Sequence, residues 1–172
     1  MSYNIIEKQT FTYPLLFGLL YKYGNIAVTL LLVFYTTPIV FYVDQNYILL
    51  IPIVISLFLI YFVNRQYFAL YKIISYKIEA DYEKLVCSDY FLSKEVITIY
   101  FEDIESLKGG MFENKMSGIM KVHDGKNSVT LGFYTKLNNS SRLVTIILSK
   151  VKKELYNEVL DRLTEKKKKK KL

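Results

Sequence analysis

The feature that most constrains this chain is a pair of uncharged stretches set almost end to end. Residues 23–43 contain no Asp, Glu, Lys or Arg, and neither do residues 45–64. Only Asp44 separates them, within the connector Asp44-Gln45-Asn46. A helix needs about 20 predominantly apolar residues to cross a hydrocarbon core about 30 Å thick, and both stretches meet that length. The connector admits only a tight helical hairpin, with spans over residues 24–43 and 47–63. The competing reading is a pair of buried soluble helices, but the rest of a 172-residue chain is too small to enclose two helices that are apolar all round. Pro38 and Pro52 fall inside the spans; lipid-embedded helices tolerate proline, and local bending accounts for both. No ionisable relay runs through the spans, and no GxxxG packing motif occurs in them.

The flanks set the orientation. Lys8 and Lys22 precede the first span, and Arg65, Lys72 and Lys77 follow the second. The connector carries only Asp44. The positive-inside rule then places both termini on the cytoplasmic side of the inner membrane, which the chain crosses twice. Tyr21, Tyr23, Tyr61, Tyr67 and Tyr71 mark the inner interface, and Tyr42 and Tyr47 the outer one. Residues 1–22 are ambiguous. Their apolar run over 11–21 is too short to span, and neither a basic region close before it nor a cleavage site after it suggests a signal peptide. They are expected to form an interfacial segment that lies along the inner leaflet or docks on the soluble part.

Composition agrees with a segregated chain. It is 52% hydrophobic yet 23% charged, and the charges gather after the spans. The net charge of +7 is a property of the tail: without Lys166, Lys167, Lys168, Lys169, Lys170 and Lys171 the chain is +1. A nucleic-acid-binding surface would need basic residues clustered on the fold itself, so no nucleic-acid partner is expected. The single cysteine, Cys87, rules out an intramolecular disulfide and fits a reducing compartment.

From residue 73 the pattern changes to short runs rich in β-branched and aromatic residues. They cover residues 73–80, 84–92, 95–101, 104–108, 117–122 and 128–133. Gly109-Gly110 reads as a flexible turn. Asp124-Gly125 lies between two alternating runs and signals a hairpin, with His123 in the turn. From Ser140 onward Leu143, Ile146, Ile147, Val151, Leu155, Val159, Leu160 and Leu163 recur at spacings of three and four, one face of a helix that Asn139, Ser140 or Ser141 caps. The expectation is about six or seven strands and then one amphipathic helix packed across them.

With those elements in place, residues 72–163 resemble the bacterial PH-like domain family. The most specific piece is residues 97–107, ITIYFEDIESL, which is similar to the family's strand-turn-strand signature of an aromatic or proline, an acidic residue and then Ile. Tyr100-Phe101 stands where relatives often have proline followed by an aromatic. The segments YKIEADYEKLVCS and KVHDGKNSVTLGF are also similar. The resemblance implies an α+β chain: a transmembrane hairpin followed by a seven-stranded antiparallel barrel or sandwich capped by a C-terminal helix. It implies no catalytic residues. The segments are then residues 1–22, the hairpin 23–64, the PH-like domain 73–163 and the lysine-rich tail 164–172.

The catalytic inventory is short. A Cys/His pair would require Cys87 and His123 to meet, and zinc would require three or four ligands. Glu102, Asp103 and Glu105 read as turn chemistry at a strand junction. No catalytic, cofactor or metal site is expected. The lysine run is the one feature with a direct physical consequence. Anionic lipid attracts a basic segment by about 1 kcal/mol per lysine, so Lys166–Lys171 either tether the chain to the bilayer or form a solvated terminus. The resulting expectation is a non-enzymatic module that binds a membrane-protein partner or a second copy of itself. A sensor of anionic head groups is the alternative.

Overall fold

In a computed structural model, residues 8–91, 93–113, 115 and 117–169 are described, with side chains described up to residue 164. The protein is a mixed α+β chain with two apolar helices and two antiparallel sheets, and it divides into two compact units. One is residues 16–72; the other joins the segment ending at Leu15 to the chain from Ile73 onward.

The first unit is the hairpin. Helix α1 runs Leu15–Val40 and α2 runs Leu50–Tyr71. Helix α1 therefore begins nine residues before the expected span, directly after Pro14. Pro52 is in the first turn of α2, where a proline forfeits no intrahelical bond, whereas Pro38 lies inside the last turn of α1 and removes the bond its N–H would make to the carbonyl four residues earlier. Between the helices Asn46 Oδ1 accepts from the Ile48 N–H at 3.0 Å, opening a single 3₁₀ turn at Tyr47–Leu49. Both helices are long and apolar enough to cross a membrane. Only 11% and 6% of their apolar windows are buried within the chain, whereas a soluble core helix is mostly buried.

Among the described residues the second unit holds seven strands. The four-stranded sheet has the order β1 (Gln9–Thr12), β2 (Ser75–Ala80), β3 (Lys84–Tyr90), β4 (Ile97–Tyr100). The three-stranded sheet has the order β5 (Ile104–Lys108), β6 (Ile119–Asp124), β7 (Val129–Tyr134). Strands β2 to β5 fall within the runs expected from the sequence, and β6 and β7 overlap theirs but end two residues and one residue later. The seventh, β1, comes from the segment read as interfacial, and it pairs antiparallel with β2 from Gln9↔Ala80 to Thr12↔Lys77. The hairpin is thus an insertion between two neighbouring strands of one sheet. Among the described residues the sheets do not close into a continuous barrel. A single parallel bridge, Ile74↔Gly132, joins β7 to the residues entering β2, with the Gly132 N–H donating to Ile73 O at 2.6 Å. A 3₁₀ turn, Phe101–Asp103, carries β4 into β5.

Turn chemistry explains the strand ends. Asp81 Oδ1 accepts from the N–H groups of Glu83 and Lys84 at 2.9 Å each, which turns β2 into β3. Asp124 does the same for β6 and β7, accepting from Lys126 and Asn127; this satisfies a fully buried carboxylate. The Gly109-Gly110 pair, expected as a flexible turn, is a defined one. Gly109 has φ +76°, and a Cβ there would meet Ile119 O at 2.2 Å, so only glycine fits.

The expected single C-terminal helix is two: α3 (Ser140–Lys150) and α4 (Lys153–Lys169). Val151 is extended, at φ −71° and ψ 165°. The reason lies in the spacing. Ile147, Val151, Leu155 and Val159 repeat every fourth residue, and at about 3.6 residues per turn that stripe drifts around a straight helix. Breaking the helix at Val151 resets the drift, so Leu143 and Ile147 of α3 and Leu155 and Val159 of α4 all reach the core.

Phe11 of β1 is 3% exposed and belongs to that core beside Ile78 and Leu85. Beyond it, Tyr13 Oη accepts from the Tyr134 N–H at 2.8 Å and the Asn138 N–H donates to Thr12 O at 3.0 Å. Phe11→Ala is expected to destabilise the strand-bearing unit by about 3–4 kcal/mol, read as a lower denaturation midpoint of the full chain in detergent. An unchanged midpoint would mean that β1 is dispensable.

Candidate functional site

Cys87 lies in β3 and is fully buried. Its burial pushes the thiol up to about 12; a nucleophilic cysteine needs the opposite shift and an accessible sulfur. His123, expected in the hairpin turn, is instead in β6, half-buried, with Nδ1 3.0 Å from Thr130 Oγ1. The hairpin turn begins one residue later because Asp124, not His123, accepts the turn hydrogen bonds. The two residues lie in different sheets.

The acidic trio divides in the same way. Asp103 sits 3.6 Å from Lys126 Nζ, and its backbone carbonyl accepts from the Gly125 N–H. Glu105 marks a register irregularity in β5 and packs against Gly125. Glu102 alone faces an open cleft. No cluster of three or more His, Cys, Asp or Glu residues with metal-binding geometry occurs among the described residues. Of the lysines expected to contact anionic lipid, Lys166–Lys169 lie in the backbone of α4, but their side chains are outside the described residues, as are Lys170 and Lys171.

The cleft beside Glu102 has a volume of about 390 Å³ and is lined by Tyr82, Glu83, Tyr100, Phe101, Glu102 and Lys150. It forms where the β2–β3 turn, the end of β4 and the last turn of α3 meet. Lys150 Nζ lies 3.6 Å above the Tyr82 ring, and Lys84 Nζ lies 5.9 Å from the Tyr100 ring centre. Aromatic faces attract cations through their quadrupoles, so both rings present cation-accepting surfaces. Two carboxylates and two ammonium groups surround them.

A second polar group lies in the hairpin, in stretches whose sequence reads as uniformly apolar. Asn25 Nδ2 donates to Asn64 Oδ1 at 2.9 Å, and Asn64 Nδ2 donates to Thr29 Oγ1 at 2.8 Å. Tyr71 Oη donates to Asn25 Oδ1 and lies 2.7 Å from Lys22 O. Gly24 makes room for Tyr67, whose hydroxyl a Cβ at position 24 would meet at 2.4 Å. The signal was present in the sequence. Asn25 and Thr29 are four apart, Asn64 and Tyr71 are seven apart, and each spacing keeps its pair on one helix face. Asn64→Ala is expected to weaken association of the two helices by about 1–2 kcal/mol, measured as a lower midpoint in detergent titration; an unaltered midpoint would mark the network as incidental.

The thiol gives a pH test with a definite sign. A folded-state value above the unfolded one means that the native state holds the proton more tightly, so stability falls as pH rises. The effect begins near the ordinary thiol value of 9.0 and is complete at about 12. Tyr90, also raised by burial, adds to it in the same direction. Cys87→Ala should flatten the alkaline slope of the denaturation midpoint without removing it; an unchanged slope would exclude the thiol as a contributor.

No model of a known protein family matches this chain, and no curated protein matches it.

Proposed function

We propose that the protein is a membrane-anchored, non-enzymatic PH-like module that binds a partner protein or a second copy of itself at the cytoplasmic face of the inner membrane. The observation that carries this reading is the pairing of β1 with β2. Because the hairpin leaves from one strand and returns to its neighbour, both of its ends belong to one folded unit. If the helices cross a bilayer, that topology supports both ends on one side. The lysines and tyrosines at the ends of the spans support the cytoplasmic side.

Four plus three antiparallel strands followed by helices packed into their core support the PH-like reading. A buried thiol, a histidine bonded to a threonine and a charge-balanced aromatic cleft support a binding role. The run of lysines at the end of α4 favours a second reading, in which the domain loops and the tail recognise anionic head groups.

A photoreactive residue replacing Tyr82, which is 65% exposed at the cleft, tests the proposal in native membranes with the full chain. Adducts of protein mass are expected. Adducts to lipid that disappear when Lys166–Lys171 are removed would support the head-group reading instead, and no adducts of either kind would overturn both.

A further inference from the structure

Strand β4 is one edge of the four-stranded sheet and, among the described residues, is bonded to β3 alone. The register shows which of its backbone groups are free. The Phe101 N–H donates to Glu83 O at 3.0 Å, and the same register continues through Leu85↔Ile99 and Cys87↔Ile97. Hydrogen-bonded pairs recur every second residue in an antiparallel ladder, so Ile97, Ile99 and Phe101 turn their backbone groups toward β3. Val96, Thr98 and Tyr100 turn theirs outward.

The other sheet edges are each covered at one point. On β1, Thr12 O accepts from the Asn138 N–H; on β7, the Gly132 N–H is held by Ile73 O. On β5, Leu107 O accepts from Arg162 Nη1 of α4 at 2.9 Å. Among the described residues no such bond reaches the outer edge of residues 96–100. Natural edge strands are protected by a charge, a proline or a bulge, and residues 96–101, VITIYF, contain neither charge nor proline. Val96 is 61% exposed and Tyr100 is 39% exposed.

We propose that β4 pairs antiparallel with β4 of a second copy, about a two-fold axis at Thr98, joining the two four-stranded sheets. The inference deepens the self-assembly part of the proposed function and rests on it. Parity requires even-numbered residues to pair with even-numbered ones, because only those have free backbone groups. Placing the axis at Thr98 sets Thr98 opposite its counterpart and Val96 opposite Tyr100, a β-branched residue against an aromatic, which is a favourable cross-strand pair. Beyond Tyr100 the chain leaves the strand for the 3₁₀ turn, and the same axis brings the end of β4 that carries Lys94 of one copy up to the end that carries Glu102 of the other. Shifting the axis by one residue, to Ile97 or Ile99, loses the pairing of Val96 with Tyr100 and draws the Lys94 and Glu102 ends of the two copies out of line. Complementary charges of this kind select register.

The test uses the full chain in detergent and in lipid nanodiscs. Its mass should be twice that of the 20.2 kDa chain. Hydrogen-bonded antiparallel partners have Cα atoms about 5.5 Å apart, within the range of a disulfide. Thr98→Cys should therefore cross-link to itself under mild oxidation, while buried Cys87 stays unreactive. Thr98→Pro removes an outward N–H without touching the bonds to β3, so it should give a folded monomer. Glu102→Lys should weaken the dimer, and Lys94→Glu combined with Glu102→Lys should restore it.

A monomeric wild-type chain, or a dimer in which Thr98→Cys fails to cross-link, would overturn the proposal. So would a dimer that survives Thr98→Pro. Each of these outcomes leaves the broader binding reading standing if the Tyr82 photoadduct contains a different protein. Absence of any protein adduct from native membranes would remove that reading as well.

Discussion

The structure depends on a ladder four residues long. Strand β1 meets β2 across an insertion of two long helices, from Thr12 to Lys77. Closing a loop of that length carries an entropic cost that grows with the logarithm of its length. The hairpin reduces it, because its helices are themselves bonded near the point where they begin and end. Tyr71, the last residue of α2, reaches Lys22 O, and Asn25 is bonded to Asn64. An assembled hairpin therefore returns the chain close to its point of departure. Phe11 then enters the core, and Lys8 and Lys77 bracket Glu79 at 2.6 and 2.8 Å.

Much of this was legible in the sequence, and the exceptions have physical causes. The two apolar helices, six of the strands and the Asp124-Gly125 hairpin follow from charge, β-branched runs and turn residues. Strand β1 does not. Residues 9–12, QTFT, carry one apolar side chain, too few for any periodicity, and their strand character comes entirely from pairing with β2. The break at Val151 was hidden for the opposite reason. The apolar spacing continues through it, and only the drift of a fourth-residue repeat betrays the bend. His123 was displaced by one position because Asp124 is both the last strand residue and the acceptor for its turn.

The candidate site was less legible than the fold. Tyr82, Tyr100 and Lys150 come from separate elements, and no spacing in the sequence links them. The asparagines of the hairpin were visible, but a reading confined to charge passes over them. Amide side chains are neutral, so they lie within uncharged windows. Once paired across helices, though, they satisfy one another where water is scarce.

The titratable groups whose behaviour is altered bear on the proposed binding role. A general acid or base works best when its proton affinity is tuned toward neutrality. In the strand-bearing unit the shifts run away from it. Burial moves Cys87 and Tyr90 upward, further from ionisation. Hydrogen bonds from Lys77 and Lys8 hold Glu79 below the usual carboxylate range, fixing it as an anion that fastens the segment before β1 to β2. The Glu79 shift therefore accompanies the closure of the sheet, and those of Cys87 and Tyr90 follow from burial. Around Tyr82 and Tyr100 groups of opposite charge lie beside aromatic faces.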